Sequence, residues 1–196
     1  MRDLAFSSCP RHPRYARFRF RFCGYNVVMT TTAVAKKKTR DVKGRRVLSL
    51  KTIDDAIAEA ERVAAADREG RARTLGNWTI GQIFGHLATW ANYAFDGTPM
   101  AAPWFVRLIA RAMKNRFLNK GIPAGGKIPR VPGGTFGTDV LSTDEGLERF
   151  CKAFGRLKTE TPTQPSAAFG HLTPEEHVKL NLRHAELHLS FVQIEN

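Results

Sequence analysis

Two histidines four residues apart, His184 and His188, carry the clearest chemical signal in this chain of 196 residues. In a helix, side chains at positions i and i+4 lie on one face about one turn apart, so both imidazoles can reach a single metal ion. With a rotation of about 100° per residue, His177 and Asn181 fall on the same stripe. Burying such a polar stripe is unfavourable unless something binds it. Because many histidine pairs of this spacing are structural or solvated, that alternative stays open.

A third ligand can come from His86, which lies in the middle of the longest uncharged run, Thr74 to Phe95. Three neutral imidazoles suit a divalent ion such as Zn, Ni or Fe and leave coordination positions for water or substrate. Taken alone, His86 also fits a buried core histidine. Polar residues on the same helix faces are candidates for orienting a substrate: Gln82, Tyr93, His177 and Asn181.

Two neighbouring patterns do not add a catalytic residue. The stretch from His184 to His188 is not the zinc-protease motif, because Glu186 lies about 200° around the helix from His184 and cannot readily serve the same metal. His171 lies in a loop before the last predicted helix. It is either an acid/base residue or a residue that introduces the helix, and we favour the second interpretation.

Five helices are predicted to position these residues, and four of them begin at a Ser or Thr with an acidic or amide residue three positions later, which is typical of a capping box. The N-cap residues are Thr52, Thr79, Ser142 and Thr173. The helices are expected at about 53–68, 80–95, 103–119, 143–159 and 174–191. Residues 121–138 are rich in Gly and Pro and predict a loop.

The fold class that follows is all-α, since no convincing strand pattern and no repeat is present. Four of the helices are long and amphipathic, and the fourth has a clean apolar stripe that includes Leu147 and Phe154. Residues 97–142 are long enough to cross the molecule and carry the third helix. This arrangement predicts a four-helix bundle with one long crossover connection.

The net charge of +13 suggests a nucleic-acid partner, but its distribution weakens that interpretation. Residues 1–46 hold 13 Lys and Arg against Asp3 and Asp41, a net of +11, and the remaining residues carry only +2. A second basic segment lies between Asp96 and Asp139, where no acid occurs. It predicts either a solvated helix face with a loop or a surface for an anion. Its basic residues are Arg107, Arg111, Lys114, Arg116, Lys120, Lys127 and Arg130.

Residues 1–46 are expected to be a basic, disordered flank that does not pack on the helices, and residues 47–196 to be the helical domain. No secretory signal is recognisable, and translation starting at Met29 is an alternative in which residues 1–28 are not part of the protein. Three cysteines without paired spacing favour a reducing compartment, the cytoplasm. Polar residues interrupt the uncharged run, so we expect no membrane span.

Two segments resemble the DinB-like (YfiT-like) superfamily of metalloenzymes: Trp78-Thr79-Ile80-Gly81-Gln82-Ile83-Phe84-Gly85-His86-Leu87, and His184-x-x-x-His188-Leu189. The stretch Phe169 to Glu176 is similar to that of one uncharacterised bacterial branch of unknown function. The resemblance covers about Leu48 to Ile194. It implies a bundle with a long crossover and a metal site formed by His86, His184 and His188. It also implies relatives that are transferases and isomerases using low-molecular-weight thiols.

Two functions are therefore expected from the sequence. The first is a cytoplasmic protein that binds a divalent metal and acts on a small molecule as a thiol-dependent transferase or a metal-assisted hydrolase. A homodimer is compatible with this interpretation, and the metal and the substrate stay open. The alternative is a non-catalytic helical module that binds nucleic acid or another polyanion through its basic tail and residues 97–138.

Overall fold

The computed structural model describes residues 37–128 and 131–195. Several features discussed above lie outside this part of the chain, namely residues 1–36 with Cys9, Cys23 and Met29, and Arg130. Within the described residues, no helix is both long enough and apolar enough to cross a bilayer.

The structure is mostly helical and confirms the five predicted helices within about two residues at either end. They are α1 (Ile53–Arg68), α2 (Ile80–Asp96), α3 (Trp104–Lys120), α4 (Thr143–Thr159) and α5 (Pro174–Leu189). Short 3-10 helices lie at Thr39–Asp41 and Pro132–Gly134. All four predicted capping boxes form, so the first orphan N–H groups of α1, α2, α4 and α5 are satisfied by their own neighbours.

The helices agree with the predicted all-α class, but the structure adds a small two-stranded sheet for which the sequence showed no convincing pattern. β1 (Ala72–Thr74) pairs with β2 (Val192–Ile194) in an antiparallel ladder, with Arg73 opposite Gln193. Strands of three residues are too short to show an alternating pattern, which explains why the sequence did not reveal them. The ladder ties the segment after α1 to the end of the chain. It also explains why α5 ends at Leu189 rather than near Phe191.

The core is centred on α2, which packs against α4 and α5, while α1 packs on α4 and α5. Phe84 on α2 and the α4 residues Phe150 and Phe154 are completely buried. The rings of Phe150 and Phe154 stack with centroids 4.0 Å apart. α3 packs on α5 and buries only Ala110 and Leu118. The side chains that meet at the centre thus come from helices distant in sequence.

The described part of the expected flank, residues 37–46, packs on the helices, so the prediction of an unattached flank is wrong for this segment. The backbone N–H of Arg46 donates to the carbonyl oxygen of Ser190 at 3.0 Å, and its Nη2 donates to that of Leu189 at 3.1 Å. The same guanidinium pairs with Glu59 at 2.7 Å. Arg46 therefore satisfies carbonyl groups that the end of α5 leaves without helical partners.

Two glycines allow the first turns of α2 and α4 to touch. A Cβ atom at Gly81 would lie 2.2 Å from the carbonyl oxygen of Leu141, and one at Gly146 would lie 2.6 Å from that of Gly81. Backbone atoms cannot move aside as a flexible side chain can. Only glycine therefore fits at these two positions.

Gly146→Ala is expected to lower the free energy of unfolding by about 1–3 kcal/mol, because the overpacked methyl group outweighs the better helix propensity of alanine. Gly155 lies on the same helix with nothing within 4 Å of an added Cβ, so Gly155→Ala should stabilise the protein by about 0.5–1 kcal/mol. Urea unfolding of the two variants checks this. Equal urea midpoints for the two variants would contradict the close contact between the first turns of α2 and α4.

Candidate metal centre

The structure brings together the three histidines predicted as ligands. His86 lies in the middle of α2, and His184 and His188 lie on the last turns of α5. The Nε2 atom of His184 is 3.2 Å from that of His86 and 3.1 Å from that of His188. One nitrogen from each ring lies within 4.8 Å of the other two, so the group can hold a metal ion.

These separations match those of metal ligands. A tetrahedral zinc ion with Zn–N bonds of about 2.0–2.1 Å places its ligand nitrogens roughly 3.3 Å apart. A nitrogen lone pair that faces another at this distance needs a proton or a cation between them. A divalent ion meets that need for all three rings at once, whereas one proton satisfies a single pair.

A hydrogen bond outside the group sets the tautomer of His86. Its Nδ1 lies 2.7 Å from the carbonyl oxygen of Phe136, which can only accept, so Nδ1 carries the proton and donates. The lone pair of Nε2 then faces His184. A backbone carbonyl that orients the far nitrogen is the usual support of a metal-binding histidine. Phe136 belongs to the long connection between α3 and α4, which gives this connection a role in the site.

Two tryptophans flank the three imidazoles. Trp78 stacks on His188 with centroids 5.1 Å apart and lies 4.8 Å from the ring of His86. Trp90 meets the ring of His184 edge-on at 5.8 Å. The indole N–H of Trp90 is buried and has no hydrogen-bond partner among the described residues. These rings restrict the imidazoles to few orientations and displace water from them.

The three imidazoles are held in the neutral form that binds metals. Burial lowers the pKa of His86 to about 4, against the opposing effect of its bond to Phe136. Burial also lowers the pKa values of His184 and His188 well below the ordinary value, and the neighbouring imidazoles add to this effect. Neutral imidazole at pH 7 means that no proton has to leave before an ion binds.

Metal-free protein should lose stability as the pH falls from 7 to 5. The pKa of His86 is about 4 in the folded state and about 6.5 in the unfolded chain. Below pH 6.5 the unfolded chain therefore takes up a proton that the folded state does not, and the free energy of unfolding falls. The difference corresponds to roughly 2 kcal/mol at pH 5 for His86 alone. Urea unfolding with chelator at both pH values measures it. His86→Ala should make this pH dependence shallower, because the lowered pKa of His86 no longer contributes to it.

The four predicted substrate-orienting residues differ in their surroundings. The side-chain oxygen of Gln82 accepts from the backbone N–H of Thr79, the N-cap residue of α2, and its side-chain nitrogen donates to the carbonyl oxygen of Thr138 at 3.1 Å. Both ends of its amide are therefore already bonded. His177 and Asn181 are buried on α5, and the Asn181 amide donates to the His177 carbonyl oxygen. The ring of Tyr93 meets Trp90 at 5.6 Å, and burial raises the pKa of its hydroxyl. Tyr93 is thus linked to the histidine group through Trp90.

His171 is exposed and lies apart from the three histidines. It borders a cavity of about 280 Å³ together with Arg111, Lys114 and Phe169. Nothing in this position supports a role as acid or base at the candidate metal centre.

Sequence reasoning missed three contributors to the site: the Phe136 carbonyl, Trp90 and Arg45. Arg45 was assigned to the flank, yet its Nε donates to the Oγ of Ser190 at 3.0 Å, two residues after His188. Its charge is among the causes that lower the pKa of His188. No local pattern marks any of the three, because each reaches the site through tertiary contacts.

Residues 42–195 match the profile of a protein family, DUF1569, which is described as a protein of unknown function. Neither the curated proteins nor the solved structures gave a match. The matched range contains the three histidines, Trp78, Trp90 and Arg45.

Proposed function

Since this chain belongs to the DUF1569 family, whose function has yet to be determined, we propose that it is a divalent-metal-binding protein with His86, His184 and His188 as its ligands. We further propose that α1, α2, α4 and α5 form a four-helix bundle of the DinB-like kind. In this arrangement the connection between α2 and α4 is the long crossover, and α3 is the extra helix within it. The order of the helices and the positions of the histidines on α2 and α5 support this proposal.

The observation that carries the proposal is the convergence of three Nε2 atoms. Their separations of 3.1 and 3.2 Å suit one ion, and the Phe136 carbonyl turns the His86 lone pair towards it. In the described residues, no hydrogen bond to these rings involves a carboxylate. Three neutral ligands leave the full charge of a dication available to a further ligand.

The proposed reaction is a thiol-dependent transfer or a metal-assisted hydrolysis of a small molecule in the cytoplasm. A bound divalent ion would lower the pKa of a coordinated water or stabilise a coordinated thiolate. The chain's own residues hold the ion with three imidazoles and shield it with Trp78 and Trp90. We propose that the substrate is oriented by groups beside the histidines, and Tyr93 is one candidate because its ring contacts Trp90, which in turn contacts His184.

The experiment that tests metal binding is elemental analysis of protein purified without a histidine tag. After loading with Zn²⁺ or Ni²⁺ and gel filtration, we expect about one ion per chain in the wild type and a strong reduction in His184→Ala. The matched control is His171→Ala, because His171 is an exposed histidine outside the group. Equal metal content in wild type and His184→Ala would overturn the proposal.

A second candidate function is binding of nucleic acid or another polyanion through α3 and the loop that follows it. The observation that favours it is the exposure of Arg111, Arg116 and Lys120 on a helix without acidic residues. Lys114 is less available, because its Nζ pairs with Glu176 at 2.5 Å. DNA binding that weakens steeply with salt and survives His86→Ala would favour this function over the first.

A further inference from the structure

Large hydrophobic side chains are exposed as a group on α3 and in the segment just before it. Within the described residues eight such side chains are exposed, and six of them fall between residues 100 and 113. The six are Met100, Trp104, Phe105, Leu108, Ile109 and Met113. Single exposed apolar residues are normal on a protein surface, whereas a contiguous group of them marks an interaction site.

The exposed apolar residues of α3 share one side of the helix. With a rotation of about 100° per residue, the four that lie in its first two turns fall within an arc of about 140°. These four, Trp104, Phe105, Leu108 and Ile109, form what we call the outer face of α3. The opposite side carries Ala110 and Leu118, which are buried, and α3 packs on α5. The helix is thus apolar on two sides, of which only one is covered by the protein.

The exposed charges of α3 are all positive. Arg111, Arg116 and Lys120 are exposed on this helix, and Lys127 is exposed in the loop that follows. The sequence contains no acidic residue between positions 97 and 138. An apolar helix face with basic residues beside it is typical of a helix that lies in the surface of an anionic membrane.

We propose that the outer face of α3 docks this protein on a membrane surface that contains anionic lipids. The apolar side chains enter the boundary between headgroups and acyl chains, where tryptophan is favoured, and the basic side chains stay among the lipid phosphates. The cytoplasmic leaflet of a membrane carries such a negative charge. The helix lies on the bilayer and does not cross it. This inference goes beyond the proposed function, because it needs no metal ion at the three histidines.

Two other occupants match this surface less well. In a two-fold dimer a second copy would bring the same patch to the contact, so Arg111, Arg116 and Lys120 of both copies would meet there without an acidic residue of α3 to offset them. Nucleic acid would attract the same cations, but its interfaces are polar, and it gives the exposed Leu108 and Ile109 no apolar partner. A lipid surface matches both the apolar area and the positive charge.

The test measures binding of the full chain to vesicles by co-sedimentation. Vesicles of phosphatidylcholine and phosphatidylglycerol in equal parts supply the anionic surface, and vesicles of phosphatidylcholine alone serve as the neutral comparison. We expect the wild type to bind the anionic vesicles more tightly than the neutral ones. Leu108→Asp combined with Ile109→Asp should weaken binding to the anionic vesicles about tenfold or more, since apolar burial is lost and negative charge is added.

The matched control places the same two charges elsewhere. Val47→Asp combined with Val140→Asp changes side chains that are 97% and 84% exposed and lie outside α3. This variant should bind the anionic vesicles within about threefold of the wild type, because its new carboxylates are separated from the outer face. Leu108→Ser combined with Ile109→Ser removes apolar surface without adding charge, and it replaces the aspartate variant of α3 should that one fail to fold.

Trp104 gives a second measurement. Its side chain is 77% exposed, so its fluorescence should shift to shorter wavelength when anionic vesicles are added. Trp104→Phe should remove most of that shift, while the protein still sediments with the vesicles. A shift that is equal in the wild type and in Trp104→Phe would mean that α3 does not enter the lipid, and it would overturn the inference.

The contrary outcomes of the vesicle experiment are distinct. Equal binding by the wild type and by both double variants of α3 would mean that positive charge alone attracts the lipid, and the inference is overturned. Failure of the wild type to bind anionic vesicles overturns it as well. In that case a dimer that the aspartate variant of α3 dissociates would assign the face to a second copy, and salt-dependent binding of duplex DNA would assign the cations to nucleic acid. The metal content of the protein is measured separately and does not depend on any of these outcomes.

Discussion

Zn²⁺ or Ni²⁺ added to metal-free protein is expected to raise the melting temperature by roughly 8–16 °C. An ion at about a thousand times its Kd stabilises the folded state by about 4 kcal/mol, and each kcal/mol shifts the melting of a chain of this size by about 2–4 °C. His86→Ala, His184→Ala and His188→Ala should each remove most of this gain, because the loss of one of three ligands breaks the chelate. Thermal melting with and without chelator measures the effect.

The controls come from the other histidines. His171→Ala should keep the full metal response, since that residue is exposed and outside the group. His177→Ala removes a buried side chain about two turns before His184, so it should lower the baseline melting temperature but leave most of the metal-dependent shift. A metal response that is equal in the wild type and in all three ligand variants would reduce the group to structural histidines.

The pH dependence of metal affinity should reflect the burial of the rings. Protons compete with the ion for the same lone pairs. An unperturbed imidazole would begin to compete near pH 6.5, but the pKa of His86 is lowered to about 4 and those of its partners lie well below the ordinary value. Metal affinity should therefore persist to a lower pH than exposed histidines would allow.

Phe154→Ala is expected to lower the free energy of unfolding by about 3–5 kcal/mol. The Phe154 side chain is completely buried on α4 and stacks on Phe150, so its removal leaves a cavity that rigid neighbours cannot fill. Leu147 lies on the same apolar stripe but is only partly buried against the core, so Leu147→Ala should have a smaller effect. Urea unfolding of both variants checks the order. A larger loss for Leu147→Ala would mean that the inner face of α4 is misassigned.

The helices were largely predictable because their signals are local. A capping box joins an N-cap residue to a partner three positions later, and Thr52, Thr79, Ser142 and Thr173 each make that contact in the structure. Apolar residues at helical spacing then indicated which face turns inward, as Phe150 and Phe154 show. Contacts between residues three or four positions apart depend little on the rest of the molecule.

The small sheet and the start of the folded domain were not predictable for the opposite reason. β1 and β2 have three residues each, and neither has an alternating pattern that would stand out alone. Arg45 and Arg46 were assigned to a basic tail, because a charge count does not show contacts. In the structure Arg46 pairs with Glu59, and Arg45 donates to Ser190 at the end of α5. The β1–β2 ladder and the arginine contacts form only when folding brings the two distant segments together.

The candidate site also combines features set by local contacts with features set by long-range contacts. The spacing of His184 and His188 on one helix face follows from the sequence, because a helix brings residues four apart together wherever it forms. His86 is 98 residues from His184, the Phe136 carbonyl is 50 residues from His86, and Arg45 is 145 residues from Ser190. Local contacts predict the helices, their capped starts and the imidazole pair of α5, and the sequence also offered His86 as a third ligand. That His86 and the Phe136 carbonyl meet this pair depends on how the helices pack, because contacts over such separations form only in the folded chain.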